Sequence, residues 1–308
     1  MEMLLQILLL AVGFVMLVKG ADWFVDGASN IAAKFKIPQL VIGLTIVAMG
    51  TSAPEAAVSI TAALQGNAEI TIGNIVGSNI LNILIILGLS AVIANLAVAK
   101  STVWYELPFL IGVTVLLYIQ GLDGTIGLVD GIVQIILFIA YLGYLLMMAK
   151  KHPDENPETP KQLKLWQALL WTAGGLVLIV FGSDVAVDAA TAIARILGLS
   201  ERFIGLTIVA LGTSLPELFT SVSAARKGNA DIAIGNIVGS NIFNILFVVG
   251  LSAMIVPVPF ATGFLFDTII ATAAAVLLLL CCIKGRTLKR WHGILMLLCY
   301  AVYFYVIF

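Results

Sequence analysis

The sequence has few charged side chains. Only 11% of its 308 residues are Asp, Glu, Lys or Arg, whereas a soluble globular domain carries about 25%. The 16 basic and 17 acidic residues nearly cancel, so there is no basic surface to bind the phosphates of a nucleic acid. Apolar residues make up 61% of the chain. These proportions predict an integral membrane protein that does not bind nucleic acid.

Histidine and cysteine are also scarce, with two and three residues respectively. Cys281, Cys282 and Cys299 lie in apolar runs and form neither a metal-binding pattern nor a disulfide framework. We expect His152 and His292 near the membrane edges. No Ser/His or Asp/Asp dyad typical of an intramembrane enzyme is visible. The sequence therefore predicts a protein that is not an enzyme and that needs no cofactor.

Ten apolar stretches are long enough to cross a bilayer, which requires about 20 helical residues. They fall at about 3–33, 39–64, 70–98, 102–120, 126–149, 165–197, 203–225, 231–256, 262–283 and 290–308. Three prolines and a cluster of charges mark segment 151–164 as a linker. We therefore predict an all-α membrane protein in which this linker joins two halves of five helices, 1–150 and 165–308.

The positions of lysine and arginine predict the orientation, because these residues collect in cytoplasmic loops. With the N-terminus outside, thirteen of the 16 basic residues face the cytoplasm, and only Arg195 and Arg202 face outwards. We expect a multi-pass protein of the plasma (inner) membrane, with both termini extracytoplasmic and the linker 151–164 cytoplasmic. The first apolar run follows Glu2 and not a basic stretch, so we expect no removable signal peptide.

The two halves contain an internal repeat. Residues 42–93 align without gaps onto 204–255, and 36 of the 52 positions are identical. Because equivalent segments are offset by five helices, an odd number, the copies must cross the membrane in opposite directions. Gln65, in a loop predicted outside, corresponds to Lys227 in a loop predicted inside. Inverted repeats of this kind are typical of secondary transporters, whose substrate site lies at the midplane between the repeats.

Each copy contains the motif G-T-S-x-P-E within an apolar helix, at residues 50–55 and 212–217. Proline lacks an N–H and crowds the carbonyl one turn earlier, so Pro54 and Pro216 should bend the helix and free backbone carbonyls. An ionisable residue inside a span is costly and indicates function. The residues assigned to this element are Gly50, Thr51, Ser52, Pro54, Glu55, Gly212, Thr213, Ser214, Pro216 and Glu217.

A second motif, G-N-I-V-G-S-N-I-x-N, follows at 73–82 and 235–244. Helical spacing places Ser78 with Asn82, and Ser240 with Asn244, on one face of each helix. Together with the glutamates, these groups offer only oxygen ligands. Such ligands suit hard cations, and Ca²⁺ accepts six to eight of them. The residues alone therefore predict a cation transporter, in which two carboxylates balance one Ca²⁺ or two Na⁺.

The first helix of each half contains two further acidic residues, four in all. They are Asp22 and Asp26, with Asp184 and Asp188 at the equivalent positions. We expect them to pair with a cation or to cap a helix, in preference to binding the transported ion.

The two motifs resemble the paired α-repeats of the sodium/calcium exchangers of the cation/calcium antiporter superfamily. The resemblance implies a central four-helix core, against which the long first helix of each half shifts to give alternating access. It also implies that Glu55 and Glu217 ligate Ca²⁺ and share in binding Na⁺. The further ligands it implies are the carbonyls of Ala48, Thr51, Ala210 and Thr213, the hydroxyls of Ser52, Ser78, Ser214 and Ser240, and the amides of Asn82 and Asn244.

The residue at position 244 refines this expectation. Relatives that also carry potassium, and some archaeal exchangers, have Asp in the place of Asn244, so with Asn at this position the chain resembles the potassium-independent branch. With two carboxylates, three Na⁺ would leave one uncompensated positive charge and transport would be electrogenic. We expect a functional monomer, with Ca²⁺, Na⁺ and membrane lipid as its partners. The nearest alternative is a proton-coupled or otherwise differently coupled antiporter on the same scaffold. A cation channel is an alternative from another class.

Overall fold

The computed structural model describes residues 2–151, 153, 162–198 and 210–307. Within these ranges the chain forms twelve helical segments: α1 (Glu2–Phe35), α2 (Gln39–Thr51), α3 (Ala53–Leu64), α4 (Glu69–Ile93), α5 (Thr102–Asp123), α6 (Leu128–Lys151), α7 (Leu165–Ile196), α8 (Ala210–Gly212), α9 (Leu215–Arg226), α10 (Ala230–Ile255), α11 (Thr262–Ile283) and α12 (Arg290–Ile307). Eight of them are long and apolar enough to cross a membrane, and α2 with α3 is a bent pair that makes a ninth candidate span.

Nine of the ten predicted spans therefore coincide with a helix or a bent helix pair in the described residues. The remaining stretch, 203–225, lies partly outside the described residues, which resume with α8 and α9. The linker 151–164 also falls largely outside them. The protein is thus a helical, multi-pass membrane protein, and its division into two repeats of five helices stays a prediction.

The predicted break in the second span is confirmed. The axes of α2 and α3 differ by 49°, and the bend lies at Ser52, whose backbone angles are φ −82° and ψ 8°. Pro54 then occupies the first turn of α3, where its missing N–H has no intrahelical partner to lose. Ser214 takes nearly the same conformation, φ −90° and ψ 2°, before α9.

The long helices α1 and α7 pack closely along glycine-rich faces. A Cβ added at Gly20 would lie 2.9 Å from the carbonyl oxygen of Gly175, and one at Gly175 would lie 2.5 Å from the backbone nitrogen of Phe24. Gly13 and Gly182 make similarly close contacts. Gly13 and Gly175, like Gly20 and Gly182, are equivalent positions of the two halves. The α1–α7 interface is therefore itself two-fold symmetric in sequence.

The centre of the molecule is formed by α4 and α10, the most deeply buried of the spanning helices in the described residues. Helix α2 packs against α10, since a Cβ at Gly235 would lie 3.0 Å from the Cα of Gly43. Each central helix contains a π-helical turn, at Asn82–Leu87 in α4 and at Asn244–Val249 in α10. Such turns occur frequently at functional sites.

Two short antiparallel strand pairs connect the loops. Strand β1 (Leu96–Ala97), after α4, pairs with β4 (Thr287–Leu288), between α11 and α12. Strand β2 (Thr125–Ile126), between α5 and α6, pairs with β3 (Val258–Pro259), after α10. Each pair therefore joins a loop of the first half to a loop of the second half.

Candidate cation site

Glu55 and Glu217 lie at the bends of the two repeats, each in the first turn of its helix, and both are 0% exposed. Each accepts a hydrogen bond from the serine of the other repeat. Ser52 Oγ donates to Glu217 Oε1 at 2.7 Å, and Ser214 Oγ donates to Glu55 Oε1 at 3.2 Å. The hydroxyl of Ser78 lies 3.4 Å from that of Ser214. These contacts bring both predicted motifs together at one buried place.

Several buried oxygens of the two motifs have no hydrogen-bond partner in the described part of the chain: Glu55 Oε2, Glu217 Oε2, Asn82 Oδ1, Asn244 Oδ1 and Thr213 Oγ1. Buried polar groups normally have one, and the two carboxylates are close enough to repel each other. A bound cation would satisfy both the unpaired oxygens and the negative charge. Among the described residues, no group of three or more His, Cys, Asp and Glu side chains gathers, so the other ligands here would be neutral oxygens.

Other predicted ligands have protein partners in this structure. The Thr51 hydroxyl donates to Asn236 Oδ1 at 2.9 Å, whereas the equivalent hydroxyl of Thr213 is unpartnered among the described residues. The Ala48 carbonyl accepts hydrogen bonds from the Ser52 N–H at 3.0 Å and the Ser240 hydroxyl at 3.3 Å. The two repeats therefore use equivalent residues differently in this conformation.

The backbone of Ala210, the counterpart of Ala48, begins the short helix α8. At its end, the carbonyl of Gly212 accepts a hydrogen bond from Ser183 Oγ at 2.7 Å. A Cβ at Gly212 would lie 2.5 Å from Val187, and one at Gly50 would lie 3.2 Å from the ring of Phe24. These glycines consequently serve close packing against α7 and α1 as well as the bend.

Asparagines on the central helices hold the glutamate turns in place. Asn236 Nδ2 donates to Ser221 Oγ at 2.9 Å and to the Glu217 carbonyl at 3.4 Å. Asn74 Nδ2 makes the equivalent bonds, to Ser59 Oγ at 2.9 Å and to the Glu55 carbonyl at 3.2 Å. The asparagines thus hold each glutamate through its backbone carbonyl. The carboxylate oxygen Oε2 of each glutamate remains available to bind a ligand.

A cavity of about 490 Å³ leads towards the site from one side. Its wall includes Thr213 and Pro54 next to the site, and Asp184 and Asp188 on α7. No basic side chain in the described ranges pairs with these two acids. The cavity therefore places two acidic side chains in the same wall as residues of the two G-T-S-x-P-E motifs.

The equivalent acids of the first half, Asp22 and Asp26, form an ion pair. Lys227 Nζ lies 2.6 Å from Asp26 Oδ1 and 3.5 Å from Asp22 Oδ1, and it also donates to the Asp22 carbonyl at 2.7 Å. Ser223 Oγ donates to Asp22 Oδ1 at 2.6 Å. The predicted pairing is confirmed for Asp22 and Asp26, and these contacts fix α1 to the end of α9.

The sequence motifs contain two functional candidates that the prediction missed, Asn79 and Asn241. Both are buried where α4 and α10 meet, and they bond to each other and to Asn82 and Asn244. The available signal was the repetition of G-S-N in both copies, in which the asparagine directly follows Ser78 or Ser240.

Comparison with known proteins identifies similar chains. The family model for sodium/calcium exchanger proteins matches residues 5–147 and 167–308. CaxA of Alkalimonas amylolytica is 41% identical over 99% of both chains, and sodium/calcium exchanger MaX1 of Methanosarcina acetivorans is 33% identical over 98% of both. A solved structure of the sodium-calcium exchanger NCX_Mj, soaked with zero Na⁺ and Ca²⁺, has a TM-score of 0.87 at 33% identity over 99% of both chains.

Proposed function

The chain belongs to the sodium/calcium exchanger family, and from that premise we propose that it extrudes or admits Ca²⁺ in exchange for Na⁺ by alternating access. It is a multi-pass membrane antiporter of the exchanger type, in a family of transporters and not of enzymes. The observation that carries the proposal is the pair of buried carboxylates, Glu55 and Glu217, each bonded to a serine of the opposite repeat.

The proposed ligands are oxygens of both repeats. Glu55 and Glu217 supply the charge, and the unpartnered amide oxygens of Asn82 and Asn244 supply neutral ligands. The remaining members of the predicted set are Thr51, Thr213, Ser52, Ser214, Ser78, Ser240, Ala48 and Ala210. Because Ca²⁺ and Na⁺ would occupy overlapping oxygens, binding of one displaces the other. All of these ligands come from a single chain, which supports a functional monomer.

The charge of the site determines the proposed coupling. Two carboxylates balance one Ca²⁺, so exchange for three Na⁺ would move one net charge, worth about 2.3 kcal/mol per 100 mV of membrane potential. The amide of Asn244 is neutral where a carboxylate would add a further negative charge. We therefore propose electrogenic exchange that does not require K⁺.

The proposed topology has ten spans, halves 1–150 and 165–308, a cytoplasmic linker 151–164 and both termini outside the cytoplasm of a plasma (inner) membrane. The strand pairs support it, because in this arrangement β1 and β4 lie on the cytoplasmic side and β2 and β3 on the other. The cavity beside Asp184 then opens outwards, and the Lys227 ion pair closes the cytoplasmic side.

Ion gradients imposed on the purified protein in vesicles test the proposal. An outward Na⁺ gradient should drive ⁴⁵Ca²⁺ uptake, with or without K⁺, and a potential set by an ionophore should change its rate. Uptake driven by a pH gradient without Na⁺ would instead support the proton-coupled alternative. Flux that does not saturate and needs no counter-ion would indicate a channel.

Acid pH should inhibit Ca²⁺ uptake. Protons compete with cations for Glu55 and Glu217, because two neighbouring buried carboxylates repel each other when both are ionised. We expect Na⁺-driven uptake at a subsaturating Ca²⁺ concentration to fall several-fold between neutral and mildly acid pH, and to recover when Ca²⁺ is raised. Uptake that is independent of pH, or inhibition that saturating Ca²⁺ does not relieve, would contradict this competition.

A further inference from the structure

Four buried asparagines at the contact between α4 and α10 form a closed hydrogen-bond network, called the asparagine bracket: Asn79, Asn82, Asn241 and Asn244. Asn79 Nδ2 donates to the Asn241 carbonyl, and Asn241 Nδ2 donates to the Asn79 carbonyl, both at 3.1 Å. The side-chain oxygen of each accepts a hydrogen bond from the last asparagine of the motif in the other repeat. Asn82 Nδ2 donates to Asn241 Oδ1 at 2.9 Å, and Asn244 Nδ2 donates to Asn79 Oδ1 at 3.2 Å. All four residues are nearly inaccessible to solvent.

An asparagine amide has two different ends, an oxygen that attracts cations and an NH₂ group that repels them. Rotating the amide by 180° would exchange these ends with little change in shape. In this structure the NH₂ of Asn82 is held by Asn241, and its Oδ1 is left without a protein partner in the described chain. Asn244 is held by Asn79 in the same way.

We propose that Asn79 and Asn241 are positioning residues that fix the amide orientation of Asn244 and Asn82, so that a carbonyl oxygen faces the ions from each repeat. This proposal rests on the function proposed above. Asn79 and Asn241, the inner asparagines, each donate from their NH₂ to the backbone carbonyl of the other, so their own orientation is fixed. Only the side-chain oxygen of each is then available to accept a hydrogen bond from the outer, ion-facing asparagine, which is Asn244 for Asn79 and Asn82 for Asn241.

A purely structural role would give a different pattern of effects. If the inner asparagines only held α4 against α10, removing either one would weaken ion binding and stability regardless of which outer asparagine is present. The bracket instead couples specific partners across the repeats: Asn241 with Asn82, and Asn79 with Asn244. Pairs within one helix, such as Asn241 with Asn244, should be independent.

A double-mutant cycle tests this coupling. Leucine is similar in size to asparagine and offers no hydrogen bond. We expect Asn241→Leu to weaken Ca²⁺ binding by about tenfold, as expected for loss of about 1.4 kcal/mol, measured by calorimetry on the purified full-length protein. In an Asn82→Leu background the same change should have almost no further effect, whereas in an Asn244→Leu background it should keep its full effect. Asn79→Leu should show the reverse preference.

Equal effects of Asn241→Leu in both backgrounds would overturn the proposal, as would unchanged Ca²⁺ affinity in Asn82→Leu. Asn241→Ser, whose short side chain cannot reach Asn82, provides a second variant that must show the same preference. Melting temperature without Ca²⁺ verifies that each variant is folded. Ca²⁺ binding to Glu55→Gln is measured in the same assay. If this variant binds Ca²⁺ normally, the proposed cation site is wrong. If it binds Ca²⁺ weakly but the asparagine variants show no coupling across the repeats, the site stands and only the positioning role is rejected.

Discussion

Replacing Glu55 or Glu217 with glutamine should lower Na⁺-dependent Ca²⁺ uptake by at least about 100-fold, a loss of about 2.7 kcal/mol or more. Glutamine keeps the size of the side chain and one oxygen, but it removes half of the negative charge that balances Ca²⁺ in a fully buried site. A divalent cation without balancing charge is strongly unfavourable there. Uptake of ⁴⁵Ca²⁺ into vesicles containing equal amounts of each variant measures the effect.

Glu69→Gln is the matched control, since Glu69 also lies in the first turn of a spanning helix but is exposed. It should transport within about two-fold of the unmodified protein, as expected for a surface substitution. The two site variants should retain normal melting temperatures, because the affected oxygens make few bonds within the protein. Substantial Na⁺-dependent flux in either site variant would remove that glutamate from the proposed ligands.

The second large effect concerns Lys227, which joins α9 to α1. Substitution with methionine leaves the buried carboxylate of Asp26 without its lysine, in the conformation whose cytoplasmic side is closed according to the topology proposed above. Losing one partner of a partly buried pair destabilises that conformation by about 2 kcal/mol, or about 30-fold in population. We therefore expect Lys227→Met to favour the opposite conformation, in which the cavity next to Ala57 is closed.

Cysteine labelling measures this shift. In a cysteine-free background, an impermeant maleimide should modify Ala57→Cys, on the cavity wall, and the modification should slow when Lys227→Met is added. Phe219→Cys, the equivalent position of the other repeat, should react faster from the opposite side. Lys227→Arg keeps the charge and should change neither rate substantially. Equal labelling in the methionine and arginine variants would show that the ion pair does not hold this side closed.

The bend of the second span could be predicted from the sequence because its cause is local. Pro54 excludes a regular helix one turn earlier, whatever packs around it. The burial of Glu55 was similarly predictable, since it lies in an apolar stretch with a counterpart at Glu217. Because both motifs occur twice, in halves that are predicted to cross the membrane in opposite directions, the sequence also predicts that the two glutamates meet.

The remaining features depend on which helices touch. Asp22 and Asp26 were expected to pair, but their partner Lys227 is about 200 residues away, and only the packing of α1 against α9 brings them together. The roles proposed for Asn79 and Asn241 depend on the contact between α4 and α10, so the motif alone did not distinguish them from packing residues. The different hydrogen bonding of Thr51 and Thr213 reflects one conformation of a protein with two similar halves, which no symmetric motif can encode.

The short strand pairs also limit how the protein can move. One pair ties the segment between α4 and α5 to that between α11 and α12, and the other ties the α5–α6 segment to the α10–α11 segment. A rocking motion that separated the halves would have to break backbone hydrogen bonds at both ends of the bundle. In the alternating access proposed above, α1 and α7, which pack on each other through glycine, would instead translate together relative to the helices that the strand pairs join. Cross-linking the strand partners should therefore leave turnover intact, whereas cross-linking α1 to α9 should arrest it.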